Sequence, residues 1–161
     1  MKWDYEFDVV VIGSGNGALT SALCSHDGGA KTLVIEKSTQ FGGTSATSGG
    51  GVWIPNNRYA KAENVDDSDQ DARDYINSVS PEGKIKDELV ETYLSEGPKM
   101  IDYLHENSQV KYRNLAHYPD YFPDNPGGKA GNRSMEPEPI KGTDLGDDLG
   151  KLREQHPQTA F

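Results

Sequence analysis

A short glycine-rich turn near the start of the chain has the residue types and spacing of an anion-binding loop. Residues 13–18, Gly-Ser-Gly-Asn-Gly-Ala, fit the pattern G-x-G-x-x-[G/A]. In this pattern Gly13 permits a tight turn, Gly15 lets the backbone approach a pyrophosphate, and Ala18 allows close helix packing. A helix that begins there directs free N–H groups and the positive end of its dipole toward phosphates. The turn alone does not identify a site, because glycine-rich turns are common.

The flanking residues predict the elements that must position this turn. Residues 7–12 and 32–35 are short β-branched runs, typical of strands buried on both faces of a parallel sheet. Residues 18–24 favour a helix between them, which Gly28-Gly29 ends. Strand, helix and strand form a βαβ unit, for which a right-handed crossover is expected.

Glu36 strengthens the interpretation of the turn as a nucleotide site. It ends the second predicted strand, about 20 residues after the turn, where a carboxylate can accept hydrogen bonds from the ribose hydroxyls of an adenosine. The alternative is a surface turn followed by a solvated glutamate. The coincidence of strand, helix and acid favours the nucleotide site, and the charge of Glu36 disfavours a 2′-phosphate.

A second glycine cluster follows closely, at residues 42–51, Gly-Gly-Thr-Ser-Ala-Thr-Ser-Gly-Gly-Gly. Bare backbone with hydroxyl groups can wrap a flat or phosphorylated ligand and offer it N–H donors without steric bulk. The alternative is a flexible Gly/Ser linker. Glu36-Lys37 before the cluster and the apolar residues 52–55 after it argue against a linker.

The second part of the chain is predicted to consist of helices and loops. Residues 69–79 and 85–95 favour two helices, and Gly97-Pro98 should break the second and open a third. Residues 117–123, His-Tyr-Pro-Asp-Tyr-Phe-Pro, then place three aromatic rings between prolines. Such a loop could form the wall of a pocket for a flat apolar substrate, and a tyrosine hydroxyl could donate to a ketone. The alternative is that these rings only pack the loop.

Composition excludes several classes of protein. The 161 residues suit one domain, and a net charge of −10 with no Lys/Arg-rich stretch argues against nucleic-acid binding. The mean hydropathy of −0.76 and the lack of a long apolar run exclude a transmembrane protein. Cys24 is the single cysteine, which excludes an internal disulfide and a cysteine-based zinc site; we expect it to be a small buried residue. The N-terminus lacks a signal-peptide pattern, so a cytoplasmic protein is expected. No metal site is expected either.

Three segments together resemble a known family. FDVVVIGSGNGALTSAL, VIEKSTQFGGTSATSGGGVWIPNN and, more thinly, YPDYFPDNPGGKAGNRSMEPEP are similar to the N-terminal FAD-binding segment of the fumarate reductase/3-ketosteroid dehydrogenase flavoproteins. The second and third segments most resemble the 3-ketosteroid dehydrogenases. The resemblance is dense over residues 7–57 and thinner over residues 118–139.

The resemblance implies a role for each residue of the two glycine-rich segments. The first segment would contact the FAD pyrophosphate, Glu36 with Lys37 beside it would hold the adenosine ribose, and the second segment would line the flavin-side phosphates and the isoalloxazine. The implied FAD-binding residues are Gly13, Ser14, Gly15, Gly17, Ala18, Glu36, Lys37, Gly42, Gly43, Thr44, Ser45, Ser48, Gly49 and Gly50. Residues 37–57 contain no histidine for covalent attachment, so the FAD should be non-covalent.

The resemblance also implies the chemistry. Tyr121 is the candidate catalytic tyrosine, assisting proton removal beside a ketone, and Tyr118 is the candidate pocket-wall residue; His117 is expected at the surface. The implied activity is FAD-dependent desaturation of a 3-ketosteroid or similar cyclic ketone. Alternatives are an ene-reductase of fumarate reductase type, disfavoured by the scattered arginines, and a non-catalytic nucleotide-binding assembly subunit.

The predicted fold class is α/β, an incomplete Rossmann-like FAD-binding βαβ unit followed by a helical and loop-rich segment. Residues 1–57 would form part of the FAD-binding domain, and residues 58–161 would include part of the substrate-site wall. Two strands are too few for a parallel sheet covered on both faces. We therefore expect the chain to be one piece of an enzyme, either a natural subunit or a fragment, which a second polypeptide completes to give a hetero-oligomer.

Overall fold

A computed structural model describes residues 3–156 of the chain. The chain divides into two compact units, of which unit 1 lies within Met1–Gly50 and Ile140–Phe161 and unit 2 is Gly51–Pro139. The compact units therefore change at residue 50, a few residues before the functional boundary predicted at residue 57. The assignment of residues 1–57 to cofactor binding and of residues 58–161 to the substrate wall stays a prediction.

Unit 1 contains the predicted strand–helix–strand arrangement. Strand β1 is Val9–Ile12, helix α1 is Asn16–Asp27 and strand β2 is Thr32–Ile35. The two strands pair in parallel, with Val9 opposite Thr32 and Ile12 opposite Ile35. The N–H of Gly28 donates to the carbonyl of Cys24 and the N–H of Gly29 donates to that of His26, so the Gly28-Gly29 pair ends α1 as predicted. The βαβ order is thus confirmed, with α1 beginning two residues earlier and β1 two residues later than expected.

The expectation that the strands are buried on both faces is wrong for the described chain. Val10 and Ile12 are 52% and 81% exposed, and Ile35 is 43% exposed. Helix α1 covers one face of the two strands and contains no buried residue. Cys24 on α1 is likewise exposed rather than buried. The physical reason is that a parallel sheet needs a layer on each face, and the described residues provide one layer only.

The segment after residue 140 returns to unit 1. It contains the 3₁₀ segment Gly142–Lys151, interrupted at Gly146, and then pairs with residue 41. The N–H of Phe41 donates to the carbonyl of Lys151 at 2.9 Å, and the N–H of Arg153 donates to the carbonyl of Phe41 at 2.9 Å. The proline-rich sequence gives no signal for this bridge, which attaches the segment to the chain beside the second glycine cluster.

Unit 2 combines three helices with a small antiparallel sheet. Its elements are β3 (Val52–Trp53), α2 (Arg58–Ala62), α3 (Asp69–Val79), α4 (Asp87–Asn107), β4 (Tyr112–Asn114) and β5 (Ser134–Pro137). The strand order is β3-β5-β4, with β5 in the centre. The sequence predicted helix and loop only, because strands of two to four residues are too short to show an alternating pattern.

One helix prediction for unit 2 is confirmed, and the predicted break between two others is wrong. Helix α3 has the predicted bounds, and the Ser68 hydroxyl caps it by accepting the N–H of Asp71 at 3.1 Å. The predicted break at Gly97-Pro98 is wrong, because α4 continues through Pro98. The buried residues of α4 lie on both sides of Pro98. The free energy gained by packing this apolar face is therefore larger than the cost of the backbone hydrogen bond that proline cannot donate. Gly97 is buried there, and a Cβ on it would lie 3.3 Å from Ile54 Cδ1.

The fully buried apolar side chains among residues 3–156 all belong to unit 2. One cluster joins the sheet to α4, and a second joins α3 to α4. The first contains Ile54, Ile101, Tyr112 and Met135, and the second contains Ala72, Val90 and Leu94. Every helix within the described residues is too short or too polar to cross a membrane.

Candidate functional site

The two glycine-rich segments of unit 1 lie against each other. A Cβ built on Gly43 would lie 3.3 Å from the Cα of Gly15, and Gly43 has a φ of +56°. Across the same contact, the N–H of Asn16 at the start of α1 donates to the hydroxyl of Ser45 at 3.0 Å. The structure therefore brings together two clusters that are about 30 residues apart in sequence and were recognised separately.

Ser14 connects these segments to the acidic residue at the end of β2. Its side chain is buried, donates to the Glu36 carboxylate (Oε2) at 2.5 Å and accepts the N–H of Gly42 at 2.9 Å. The Ser14 hydroxyl therefore already has a donor and an acceptor within the protein. A phosphate at this turn would be contacted by backbone N–H groups and not by the Ser14 side chain. Gly42 has a φ of +108°, and a Cβ there would lie 2.6 Å from the Cβ of Ala46, so only glycine fits.

Glu36 is held in its ionised form by the hydrogen bonds it accepts. The Ser14 hydroxyl lowers the pKa of the Glu36 carboxyl most, and the N–H of Ser38, which donates to Oε1 at 3.0 Å, lowers it further. A carboxylate has about four lone-pair positions, so Glu36 retains acceptor capacity for the hydroxyls of a ribose.

The other predicted cofactor residues surround this contact. Gly13 has a φ of +99° and donates its N–H to the carbonyl of Ile35 at 2.7 Å, which fixes the turn to β2. Gly17 and Ala18 belong to the first turn of α1, and Thr44, Ser45 and Ser48 belong to a 3₁₀ turn and its two ends. Lys37, Gly49 and Gly50 complete the set; the Lys37 side chain is exposed, and Gly50 donates its N–H to the Ser48 hydroxyl at 3.1 Å.

The start of α1 fits a diphosphate group. The first turn contains no acidic residue and its N-cap residue Gly15 has no capping side chain, although the N–H of Asn16 is bonded to the Ser45 hydroxyl. The first backbone N–H groups of a helix lack intrahelical partners and carry the positive end of the helix dipole. A Cβ on Gly17 would meet nothing within 4 Å, so the space beside the turn is open. These residues can therefore hold the pyrophosphate of a dinucleotide against bare backbone.

The aromatic segment lies in unit 2 and exposes the predicted tyrosines. Tyr121 is 83% exposed and Tyr118 is 48% exposed, so neither ring packs the interior of the loop. Tyr121, but not Tyr118, lines an open apolar pocket of about 270 Å³, whose other lining residues are Trp53, Tyr75, Ile76, Val79 and Phe122. Its walls are aromatic and aliphatic, which suits a flat apolar ligand. His117 is exposed, as predicted.

Asp120 anchors this segment between its two tyrosines. Its buried carboxylate accepts the indole N–H of Trp53 at 2.6 Å, the guanidinium of Arg133 at 2.9 Å and the N–H of Lys129 at 3.0 Å. The N–H of Asp120 in turn donates to the carbonyl of Lys129 at 3.0 Å. The inward position of Asp120 leaves its neighbours Tyr118 and Tyr121 on the surface.

Arg133 is the residue that sequence reasoning missed. Its side chain is 1% exposed and contacts two buried carboxylates, Asp67 at 2.7 Å and Asp120 at 2.9 Å. Its guanidinium also lies 5.5 Å from the ring of Trp53 and 5.8 Å from that of Tyr75. The sequence carries no local signal for this cluster, because Asp67 lies 66 residues away along the chain.

A second polar pair lies elsewhere in unit 2. The Tyr59 hydroxyl accepts the N–H of Tyr112 at 3.0 Å and lies 2.8 Å from Nδ1 of His105. Either group can donate in the second contact, according to the tautomer of His105. Desolvation, and then the charges of Arg58 and Lys111, lower the pKa of His105. Among residues 3–156, no group of His, Cys, Asp and Glu side chains is arranged to hold a metal ion.

Comparison with known proteins agrees with this geometry. Residues 8–160 match the family described as FAD binding domain. The chain is 42% identical over 147 residues to a 3-oxosteroid 1-dehydrogenase of Mycolicibacterium smegmatis, an alignment that covers 91% of this chain and 26% of the relative. It is 39% identical over 143 residues to a 4-oxocyclohexanecarboxylate 2-dehydrogenase of Sinomonas cyclohexanicum, covering 89% of this chain and 25% of the relative. The chain thus spans about a quarter of the length of these curated relatives.

A solved structure shares the fold. The 3-ketosteroid delta1-dehydrogenase of Sterolibacterium denitrificans, solved in complex with 1,4-androstadiene-3,17-dione, superposes with a TM-score of 0.88 at 40% identity, covering 95% of this chain and 27% of that one. These matches confirm the resemblance to the steroid dehydrogenase flavoproteins and the predicted cofactor, FAD. The chain belongs to the FAD binding domain family.

Proposed function

We propose that this chain supplies part of the FAD site, and part of the substrate wall, of a dehydrogenase that desaturates a 3-ketosteroid or similar cyclic ketone next to its carbonyl. The observation that carries the proposal is the contact of the two glycine-rich segments beside Glu36, where a Cβ on Gly43 would lie 3.3 Å from Gly15. In a surface turn or a flexible linker, the two glycine-rich segments would not be expected to pack backbone against backbone.

The proposed FAD contacts follow from the groups each residue offers. Ser14, Gly15, Gly17 and Ala18 offer backbone N–H groups and the start of α1 to the pyrophosphate, and Gly13, whose N–H is bonded to Ile35, forms the tight turn before them. Glu36, with Lys37 beside it, holds the adenosine ribose. The second segment lines the flavin side with small residues and hydroxyls; these are Gly42, Gly43, Thr44, Ser45, Ser48, Gly49 and Gly50. All these contacts are non-covalent.

FAD, when bound, supplies the acceptor for a hydride from the carbon neighbouring the one that loses its proton. The tyrosines of unit 2 act on the substrate. Tyr121, which is 83% exposed, assists removal of the proton beside the carbonyl, and Tyr118, which does not line the described pocket, would contact the substrate beyond the edge of that pocket. The aromatic lining around Trp53 and Phe122 favours an apolar ring system over a charged carboxylate.

We further propose that another polypeptide covers the open face of β1 and β2. Ile12 is 81% exposed and Val10 is 52% exposed, whereas strands of a parallel sheet are normally buried on both faces. The absence of a fully buried apolar side chain from the described part of unit 1 supports the same proposal. The covering segment would complete the flavin site and add the remaining catalytic groups.

The proposal is tested with the protein purified natively, together with any chain that remains bound to it. FAD should co-purify, and a 3-ketosteroid or a similar uncharged cyclic ketone should reduce the bound flavin in a stopped-flow experiment without air. A protein that binds FAD but is reduced only by a nicotinamide and reoxidised by fumarate would favour the ene-reductase instead. A protein that binds no flavin would favour the assembly subunit.

A further inference from the structure

The aromatic segment of unit 2, residues 117–123, combines exposed aromatic rings with one buried carboxylate, that of Asp120. Tyr118, Tyr121 and Phe122 are 48%, 83% and 58% exposed, so their rings provide little packing to hold the backbone in place. Asp120, in the middle of the same segment, has a side chain that is only 2% exposed. The position of the tyrosines therefore depends on what Asp120 contacts.

Arg133 is the central group beneath this segment. Nε and Nη2 contact the Asp67 carboxylate, and Nη1 contacts that of Asp120, so one guanidinium connects both carboxylates. Asp67 is itself fixed, because it accepts the N–H of Asn56 at 2.8 Å and the N–H of Ser68 at 3.0 Å. Arg133 thus ties Asp120 to the turn that starts α3.

The same cluster supports the wall of the apolar pocket. The Trp53 indole donates to Asp120, and its ring stacks on that of Tyr93 with centroids 6.3 Å apart. The Tyr75 hydroxyl accepts the N–H of Phe122 at 3.3 Å. Arg133 lies within 6 Å of the rings of both Trp53 and Tyr75. The pocket wall and the tyrosine segment therefore share one buried support.

We propose that Arg133 and Asp120 are positioning residues, which hold the hydroxyl of Tyr121 at the distance and angle that the reaction requires. The inference rests on the function proposed above for Tyr121. Removing one partner of a buried ion pair leaves the other charge uncompensated, so a local rearrangement follows even where the fold survives. A small displacement of a catalytic group is sufficient to lower turnover strongly.

The variants separate positioning from general stability. Asp120→Asn keeps the shape of the side chain and removes its charge, and Arg133→Lys keeps the charge but loses the planar fork. Trp53→Phe keeps both charges of the cluster and one aromatic ring, but removes the five-membered ring with the N–H that reaches Asp120. The matched control is Arg113→Lys, which alters an exposed ion pair with Glu136 in the same sheet.

The first readout is a double-mutant cycle in the FAD-loaded protein. We expect Asp120→Asn to lower kcat at least about tenfold with little change in FAD affinity, and Tyr121→Phe to lower kcat much less in that background than in the wild type. Arg133→Lys should resemble Asp120→Asn, and Trp53→Phe should show a smaller effect of the same kind. If the effects of Asp120→Asn and Tyr121→Phe multiply independently, the positioning role is wrong.

The second readout does not require the proposed activity. With 3-fluorotyrosine at position 121, the fluorine resonance should shift or split in Asp120→Asn and in Trp53→Phe, and should stay unchanged in Arg113→Lys. An unchanged resonance in the first two variants overturns the inference. If the wild-type protein binds FAD but oxidises no cyclic ketone, the proposed function fails, and this resonance still decides whether Asp120 positions Tyr121.

Discussion

Gly43 lies against Gly15 so closely that a Cβ on the first would be 3.3 Å from the Cα of the second. The two residues belong to separate glycine-rich segments, and β2 and Glu36 lie between them in the sequence. Their contact turns two loops into one surface of bare backbone at the start of α1. Such a surface admits a diphosphate where side chains would exclude it.

Gly43→Ala should weaken FAD binding at least about tenfold, because the new Cβ would strain a residue with a φ of +56° and press on Gly15. Titration of the FAD-free protein, monitored by flavin fluorescence, measures the change. Gly150→Ala is the matched control, since a Cβ there meets nothing within 4 Å. Equal FAD affinities for the two variants would argue against the proposed cradle.

Ser14→Ala should destabilise the turn locally by about 1–3 kcal/mol, because the N–H of Gly42 would lose its buried acceptor. Hydrogen exchange of residues 13–18 and 42–48 in the purified protein measures this local opening free energy. Ser25→Ala removes a hydroxyl that bonds only within α1 near the surface, and should change exchange little. The prediction is wrong if both variants exchange alike.

Glu36 should make the turn sensitive to acid. Its pKa is held below the ordinary value of 4.5, chiefly by the Ser14 hydroxyl, so the unfolded chain takes up a proton before the folded one does. This contribution to stability is complete above about pH 4.5 and is lost as the pH falls below it. Exchange of residues 13–18, corrected for intrinsic rates, should accelerate over that range. The acceleration should shrink in Glu36→Gln and persist in Glu82→Gln, an exposed loop position.

His105 predicts a second pH effect, in unit 2 and at higher pH. Its pKa lies below 6.5, first through desolvation, so the unfolded chain binds the proton more readily. Stability is therefore complete above about pH 6.5 and decreases as the pH falls through the folded pKa. Exchange around Tyr112 should report the loss, which His105→Gln should abolish and His117→Gln should retain.

Tyr121→Phe should lower kcat by about 10²-fold or more while FAD stays bound, since it removes one hydroxyl that assists proton transfer. Single-turnover reduction of the bound flavin by a 3-ketosteroid measures the step. Tyr5→Phe, an exposed tyrosine of unit 1, is the control and should leave the rate unchanged. Release of FAD from the Tyr121 variant would instead indicate a structural tyrosine.

The parts of the fold that sequence could predict are those with local signals. The Gly13–Ala18 turn, β2 and α3 each carry their own pattern of glycines, β-branched residues or a capping serine, and the structure has them as expected. Pro98 predicts a helix break that the structure does not have, because burial of Leu94 and Ile101 on either side of it stabilises a continuous α4.

The parts that sequence could not predict depend on distant partners. In the sequence, nothing near Arg133 distinguishes it from a surface arginine, because its partners Asp67 and Asp120 are brought to it by the fold. The pairing of Phe41 with Leu152 likewise joins residues more than 100 positions apart. The contact of Gly43 with Gly15 belongs to the same class. Each segment was recognised by its composition, but their joint geometry is a property of the fold.

The most direct test of the FAD site is whether the native protein contains FAD and releases it on unfolding. We expect a yellow protein with flavin absorbance bands, from which denaturation frees intact FAD into the filtrate in proportion to the chain, and which Gly43→Ala leaves largely colourless. A colourless wild-type protein that takes up no FAD when the cofactor is supplied would contradict the account.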